Sequence, residues 1–333
     1  MTLEISRSEF GVLRSGEVVE YFRLENEYLE LSISNYGCRV LSVVFKPPQQ
    51  QLVMGQWSLP EYETDATYSG AVIGRTTNRV NNAQFTLEGE RYQLEANEPP
   101  HQLHGGFNGF HNRCWQPRLT QRGITFETNS MHGEGGYPGN VRATVDVGLV
   151  DKDLVFNYAA STDRPTYFDM TNHSYFCLDD SGSILEHELV IRGSQYLPVD
   201  DSLIPTGEIL SCSDTPFDFS EAKLVGKDLQ GSHPQLRIGH GYDHSFVLDR
   251  GEQAGGAAAE LYSPLSNMTL QLVTDAPALQ LYSGNHLPVP YRALCLETQH
   301  FPNACNQAGF RAPLVTPDQP YVSQTSYRFG LRL

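Results

Sequence analysis

Along this chain, apolar and polar residues alternate with a period of two wherever a pattern can be read. Leu29, Leu31 and Ile33 alternate with Glu30, Ser32 and Ser34, the mark of a half-buried strand. Phe85 and Leu87 run into Glu88-Gly89-Glu90, and Tyr92 and Leu94 follow, which predicts a hairpin. Val145, Val147 and Leu149 lead to a polar turn at Asp151-Lys152-Asp153, after which Leu154, Phe156 and Tyr158 resume the alternation. Near the C-terminus Tyr321, Ser323, Thr325, Tyr327 and Phe329 fall on one face. Apolar stripes at helical spacing rarely exceed two turns, and 29 Gly and 20 Pro punctuate the chain, as strand-and-turn proteins require. The pattern predicts an all-β fold, a large β-sandwich with few short helices. No segment reads as a linker. The softest stretch, Gly251 to Ala259, lies between two strand-like runs and is expected to be a mobile hairpin loop. With no repeat at a period of about 20–50 residues, residues 1–333 read as one domain.

Composition narrows the functions open to such a fold. Apolar residues make up 39% of the chain, enough for a sizeable core. The 39 acidic residues outnumber 23 basic ones, for a net charge of −16. That balance repels phosphate backbones and anionic lipid surfaces, so neither nucleic acid nor membrane is expected as a partner. No run approaches the roughly 18 apolar residues that span a bilayer. Glu4, Arg7 and Glu9 stand where a signal peptide would be apolar, so a cytoplasmic protein is expected. The six cysteines form no C-x-x-C pair and read as free thiols.

Strand-rich chains bury few polar groups, which makes clusters of His, Asn, Arg and Glu informative. Four occur: Gly74 to Arg79 with His101 to Gly106, Thr171 to Phe176, Gly241 to His244, and Leu296 to His300. A metal centre is a poor reading of them. His240 and His244 are four apart but sit among Gly239 and Gly241, where no helix would align them, and no H-E-x-x-H occurs. His101 and His104 are likewise flanked by Pro99, Pro100, Gly105 and Gly106. No G-x-S-x-G or other nucleophile pattern is present.

Seven blocks, GAVIGRTTNRV, LHGG, TNHSYFCL, YLPVDDSLIPTGEI, GYDHSFVL, LQLYSGN and LCLETQHFPNACNQ, resemble in order and spacing those of the aldose 1-epimerase (galactose mutarotase) family. The resemblance covers about Gly70 to Phe329. It implies a large antiparallel β-sandwich of the supersandwich kind, with a free sugar lying in a cleft across the sheet. It also implies roles. His173 of the T-N-H-x-Y block matches the general acid, and Glu297 of the L-E-T-Q-H block the general base. Asn78, Arg79, His104, Tyr175, Asp243 and Gln280 match substrate contacts. Leu281 and His286 stand where the family often carries aromatic residues, and His101 where Asn is common, which leaves the preferred hexose open. The sequence does not choose between a monomer and a homodimer.

The chemistry explains why these residue types serve. Exchanging anomers means opening the sugar ring, turning about C1–C2 and closing on the other face. A carboxylate takes the C1 hydroxyl proton and an imidazolium delivers one to the ring oxygen, each from its own side of the ring, with neither metal nor cofactor. With ordinary pKa values near 4.3 and 6.5, Glu is a base at neutral pH. Acidic surroundings are expected to keep His173 cationic, and desolvation to nudge Glu297 upward. Arg79 and His104 would meet developing charge, and Asp243 would accept from sugar hydroxyls. Three other readings stand beside this one. A non-catalytic sugar-binding sandwich would retain a relic site. A glycosidase would pair Asp243 with Glu297. A phosphosugar epimerase would need a cationic pocket.

Overall fold

The structure, a computed structural model, describes residues 3–55, 57–249 and 256–332. Strands make up 45% of it, with α-helices only at Leu59–Tyr62 and Pro234–Ile238. Within the expected loop at Gly251 to Ala259, residues 251–255 lie outside the described residues, and Ala259 already opens the strand Ala259–Tyr262.

Three antiparallel sheets build a β-sandwich. The N-terminal sheet runs in simple sequence order through Glu4–Val12, Val18–Glu25, Leu29–Ser34, Arg39–Phe45 and Gln50–Gln51. A nine-stranded sheet has Val141–Val150, Asp153–Thr162 and Tyr321–Leu331 side by side at its centre. The six-stranded sheet, which carries the site, orders Tyr175–Phe176, Leu294–Gln299, Ala278–Tyr282, Asp243–Val247, Gln195–Tyr196 and Leu210–Ser211. One continuous core joins all three: Phe22 and Leu31 from the first, Val145, Phe156 and Tyr327 from the second, Phe246, Leu279 and Leu296 from the third. Burial of these alternating faces is the main drive to the fold, at roughly 25 cal/mol per Å² of apolar surface.

Local patterns explain the strands. Gln84–Leu87 and Glu90–Gln93 form the predicted hairpin, with Glu88 (φ 53°) and Gly89 (φ 85°) both left-handed, as a two-residue primed turn demands. The turn after Val150 is shorter than the polar run suggests, because Asp153 already pairs with Val150. Tyr321–Leu331 buries Tyr321, Ser323, Thr325, Tyr327 and Phe329 and exposes most of the residues between them. Leu29–Ser34 departs from the half-buried expectation. Ser32 and Ser34 are buried too, because the strand is covered on both faces.

Candidate active site

The six-stranded sheet has two chemically distinct faces because its strands alternate. Phe246, Leu279, Leu281, Leu294 and Leu296 point into the core. The register pairs Gln280 with Glu297, Tyr282 with Cys295 and with Asp243, and Ser245 with Gln280, so these side chains share the opposite face. Glu297 thus lies in an apolar run without entering the core: Leu294 and Leu296 face inward, Cys295 and Glu297 outward.

Loops from the other sequence blocks cover this polar face. Thr171–Asn172 pairs with Val72–Ile73, and His173 exchanges backbone hydrogen bonds with Gly70 and Ala71. Asn172 Nδ2 donates to the Gly70 carbonyl while its Oδ1 accepts from the Ser174 amide and hydroxyl. The motif's Asn and Ser are therefore a clamp that aims His173. On the other side Arg79–Val80 pairs with Gln102–Leu103, and the His104 amide bonds the Asn78 carbonyl. Gly105 has φ +84°, and a Cβ there would lie 2.0 Å from the Gly74 carbonyl oxygen, so only glycine fits. Tyr68, Asn78 and His104 all adopt left-handed backbone, at φ 57°, 53° and 52°, a conformation that concentrates at functional sites.

His173 Nε2 stands 3.7 Å from Glu297 Oε1, and both side chains are buried. Glu297 Oε2 and Gln280 Oε1 are buried with no protein partner among the described residues, so the floor presents two acceptor atoms still unused. Gln280 Nε2 donates to Asp243 Oδ1 at 2.7 Å; it is buried rather than turned to solvent. Arg79 approaches Asp243 at 3.9 Å but is gripped at 2.6 and 2.9 Å by Glu98. Asn78 Oδ1 accepts the Arg79 amide. Tyr175 packs its ring 5.1 Å from the His173 ring, in an apolar cluster with Leu287, Ala293 and Cys295, and its hydroxyl donates to the Thr67 carbonyl. It supports His173 from behind. The two arginines of the first block separate: Arg75 spends its guanidinium on Ser130, Met131, Pro138 and Gly139 and is structural, and Arg79 enters the site.

Sequence reasoning missed Glu98, Cys295 and Tyr68. Tyr68 lies against the rings of His104, His111 and His173 at 4.7, 4.7 and 5.9 Å. Nothing in its local sequence marks it beyond its place two residues before the first block, and Glu98 carries no motif of its own.

Burial dominates the electrostatics. It drives the Glu297 carboxyl well above its usual range, aided by Asp243 and opposed by Arg79. Burial also raises Asp243, against the pull of Arg79 and the Gln280 hydrogen bond. The His173 imidazole falls to about 4, chiefly by burial, and His104 falls well below its ordinary value through burial, His173 and Arg79. The expected cationic His173 is thus corrected: desolvation outweighs the pull of the nearby acids. Within the pair, burial thus favours the proton on Glu297 over His173. The expectation of groups on opposite sides of a ring changes as well. Groups this close suit two oxygens on one carbon.

Two groups of side chains, His104–His173–Glu297 and Cys177–Asp179–His187, bring possible metal-ligand atoms within 4.8 Å of one another. A ligating imidazole needs its lone pair toward the metal and an N–H on its other nitrogen. His104 Nδ1 instead accepts the Asn78 amide at 3.2 Å, which puts the hydrogen on Nε2. His187 Nε2 accepts the Leu178 amide at 3.0 Å, which puts it on Nδ1. Neither cluster fits a metal, and His104 is instead a ready donor to an oxygen. His240 and His244 do not converge either, because His244 is buried against Phe217 and bonded to Gln235, while His240 is exposed.

Fold and site together define an antiparallel β-sandwich with a buried histidine–glutamate pair on a polar sheet face. The family model for aldose 1-epimerase matches residues 20–328. Galactose mutarotase of Sus scrofa is 37% identical, across 99% of both chains, and aldose 1-epimerase of Escherichia coli K12 is 34% identical, across 91% of this chain and 93% of its own. Among solved structures, galactose 1-epimerase from Lactobacillus acidophilus superposes over 100% of both chains, with a TM-score of 0.89 and 25% identity. An aldose epimerase homologue from C. elegans gives 0.83 at 27% identity, over 92% of this chain and 97% of that one. The chain belongs to the aldose 1-epimerase family, and it is an isomerase of the epimerase class.

Proposed function

We propose that this enzyme interconverts the α and β anomers of a free neutral hexose such as galactose or glucose, with Glu297 as general base and His173 as general acid. The observation that carries this reading is the 3.7 Å approach of His173 Nε2 to Glu297 Oε1 above a buried, unused carboxylate oxygen. The ring oxygen and the C1 hydroxyl oxygen sit on the same carbon, so neighbouring acid and base can serve both. As the sugar binds, the proton held by Glu297 moves to His173. Glu297 then takes the C1 hydroxyl proton while His173 Nε2–H protonates the ring oxygen, and the C1–O5 bond opens to the aldehyde. After rotation about C1–C2 the same transfers run backward, so no proton is consumed. A pair that shares one proton suits a reaction that is its own reverse.

His104, with its hydrogen on Nε2, and Arg79 donate to sugar oxygens, while Asp243, Gln280 Oε1 and Asn78 complete the polar lining. Tyr175 acts through His173. Because Glu98 pairs with Arg79, the site has no spare cation for a phosphate among the described residues, which favours a free sugar over a phosphosugar. Two unpaired carboxylates would suit glycoside hydrolysis, but His173 then has no task; chromogenic glycosides should remain uncleaved.

We read the chain as one domain, supported by the single core that links the three sheets, and as cytoplasmic, supported by six free thiols. Its partner is the sugar alone, with neither nucleic acid nor membrane, and it is a monomer or homodimer; sedimentation would tell which. Polarimetry of freshly dissolved α-galactose and α-glucose tests the function directly. The protein should speed relaxation well above the buffer rate. Glu297→Gln and His173→Asn should each lose at least about 10²-fold, and a relaxation rate unchanged by wild-type protein across neutral hexoses and pentoses would end the proposal.

A further inference from the structure

We infer that Cys295 is a positioning residue that keeps a hydrogen on His173 Nδ1, so that Nε2 alone exchanges the proton. This rests on the reading of His173 as the acid. Cys295 and Glu297 lie two residues apart on one strand and share a face, with Leu296 between them turned to the core. The His173 ring bridges them, with Nδ1 at 3.5 Å from Cys295 Sγ and Nε2 at 3.7 Å from Glu297 Oε1.

The direction of this hydrogen bond follows from its surroundings. His173 Nδ1 faces the sulfur at 3.5 Å, and because the thiol hydrogen has an outlet elsewhere, that nitrogen carries the hydrogen. Cys295 is fully buried, and burial together with Glu297 pushes its thiol well above the usual range, so it stays S–H. Its hydrogen has an outlet in the Tyr175 hydroxyl, which lies in hydrogen-bonding contact with the thiol and gives its own hydrogen to the Thr67 carbonyl at 3.0 Å. The chain therefore runs one way: Nδ1–H to Sγ, S–H to the Tyr175 oxygen, Tyr175 O–H to Thr67.

An imidazole that gives up its Nε2 proton must be left with Nδ1–H, or it cannot take the proton back at the same nitrogen. A carboxylate behind His173 would enforce the same tautomer but would also stabilise the imidazolium. An uncharged sulfur enforces it without that cost in acidity, and leaves a strong acid facing a weakly basic ring oxygen.

Nitrogen-15 NMR of protein labelled in its histidine rings reads the tautomer without turnover, with His173 assigned by its loss in H173N. The wild-type resting enzyme should show His173 with hydrogen on Nδ1 and a bare Nε2. In C295A the population should move toward Nε2–H, with kcat down about tenfold and KM within twofold. C295S, which keeps a donor and an acceptor, should restore both. Hydrogen on Nε2 in the wild type overturns the inference, and so does a C295A enzyme in which either the tautomer or kcat is unchanged. Because the spectrum is independent of rate, it fails or stands separately from the acid role, which H173N kinetics decide.

Discussion

At the scale of the residue, Glu297 is held where an ionised carboxylate is unwelcome. Its raised pKa means the folded state binds its proton above pH 4.5, where the unfolded chain has released it. Stability therefore falls as pH rises from about 4.5 toward the folded pKa. Glu297→Gln, neutral at every pH, removes that slope. Its melting temperature should exceed that of the wild type, and the margin should widen from pH 5 to pH 8. A variant no more stable than wild type at pH 8 would show that the carboxylate is not strained there. Glu98 is the second case. It bonds Arg79 through two hydrogen bonds, and Glu98→Gln leaves the guanidinium with only Asp243 as counter-charge. The ratio of kcat/KM for a hexuronate to that for the neutral hexose should rise by about tenfold, read by polarimetry on both sugars. An unchanged ratio would mean that Arg79 does not face the sugar.

At the scale of the element, the site depends on loops held by buried polar groups. Arg39 and Asp65 form an ion pair almost wholly withdrawn from solvent. Asp65 also accepts from the Thr67 amide and hydroxyl and the Ser69 amide, and Arg39 bonds the Ser69 carbonyl. This cage sets the turn that presents Tyr68 to the three histidines. Asp65→Asn removes one partner of a buried pair, which costs about 3–5 kcal/mol of stability. It should lower the denaturation midpoint and raise KM, with a smaller effect on kcat, because Tyr68 moves while His173 and Glu297 keep their own supports. A kcat loss as large as that of Glu297→Gln would contradict this division of labour.

At the scale of the whole molecule, buried neutral imidazoles govern acid sensitivity. His104 and His173 in the site, His111 beside it and His244 in the core all have depressed pKa values, about 4 for His173 and about 3 for His111 and His244. Each binds a proton in the unfolded chain near pH 6.5 but not in the folded one. Stability thus rises with pH between about 4 and 6.5, by up to about 1.4 kcal/mol per pH unit for each imidazole. Glu297 and Asp243 act in the opposite sense, but His187 and His233, which burial also lowers, join the four imidazoles against these two carboxyls. The melting temperature should fall steeply from pH 7 to pH 5, and a flat profile would argue that these rings are not neutral in the fold.

Period-two alternation is local, so the strands of the hairpin at Glu88 and the face shared by Tyr321 and Phe329 were legible from sequence, and with them the all-β class. The blocks around His173 and Glu297 were equally plain, because their motifs are contiguous. Three things were decided only in three dimensions. Which strand lies beside which set Gln280 against Glu297 and Tyr282 against Cys295, a matter of register between distant segments. The partner of each charge, Glu98 rather than Asp243 for Arg79, depended on loops that meet only after folding. Protonation depended on burial, and desolvation is a property of the packed environment that no single residue carries: the same His173 is an ordinary imidazole in the chain and one whose pKa falls to about 4 in the fold.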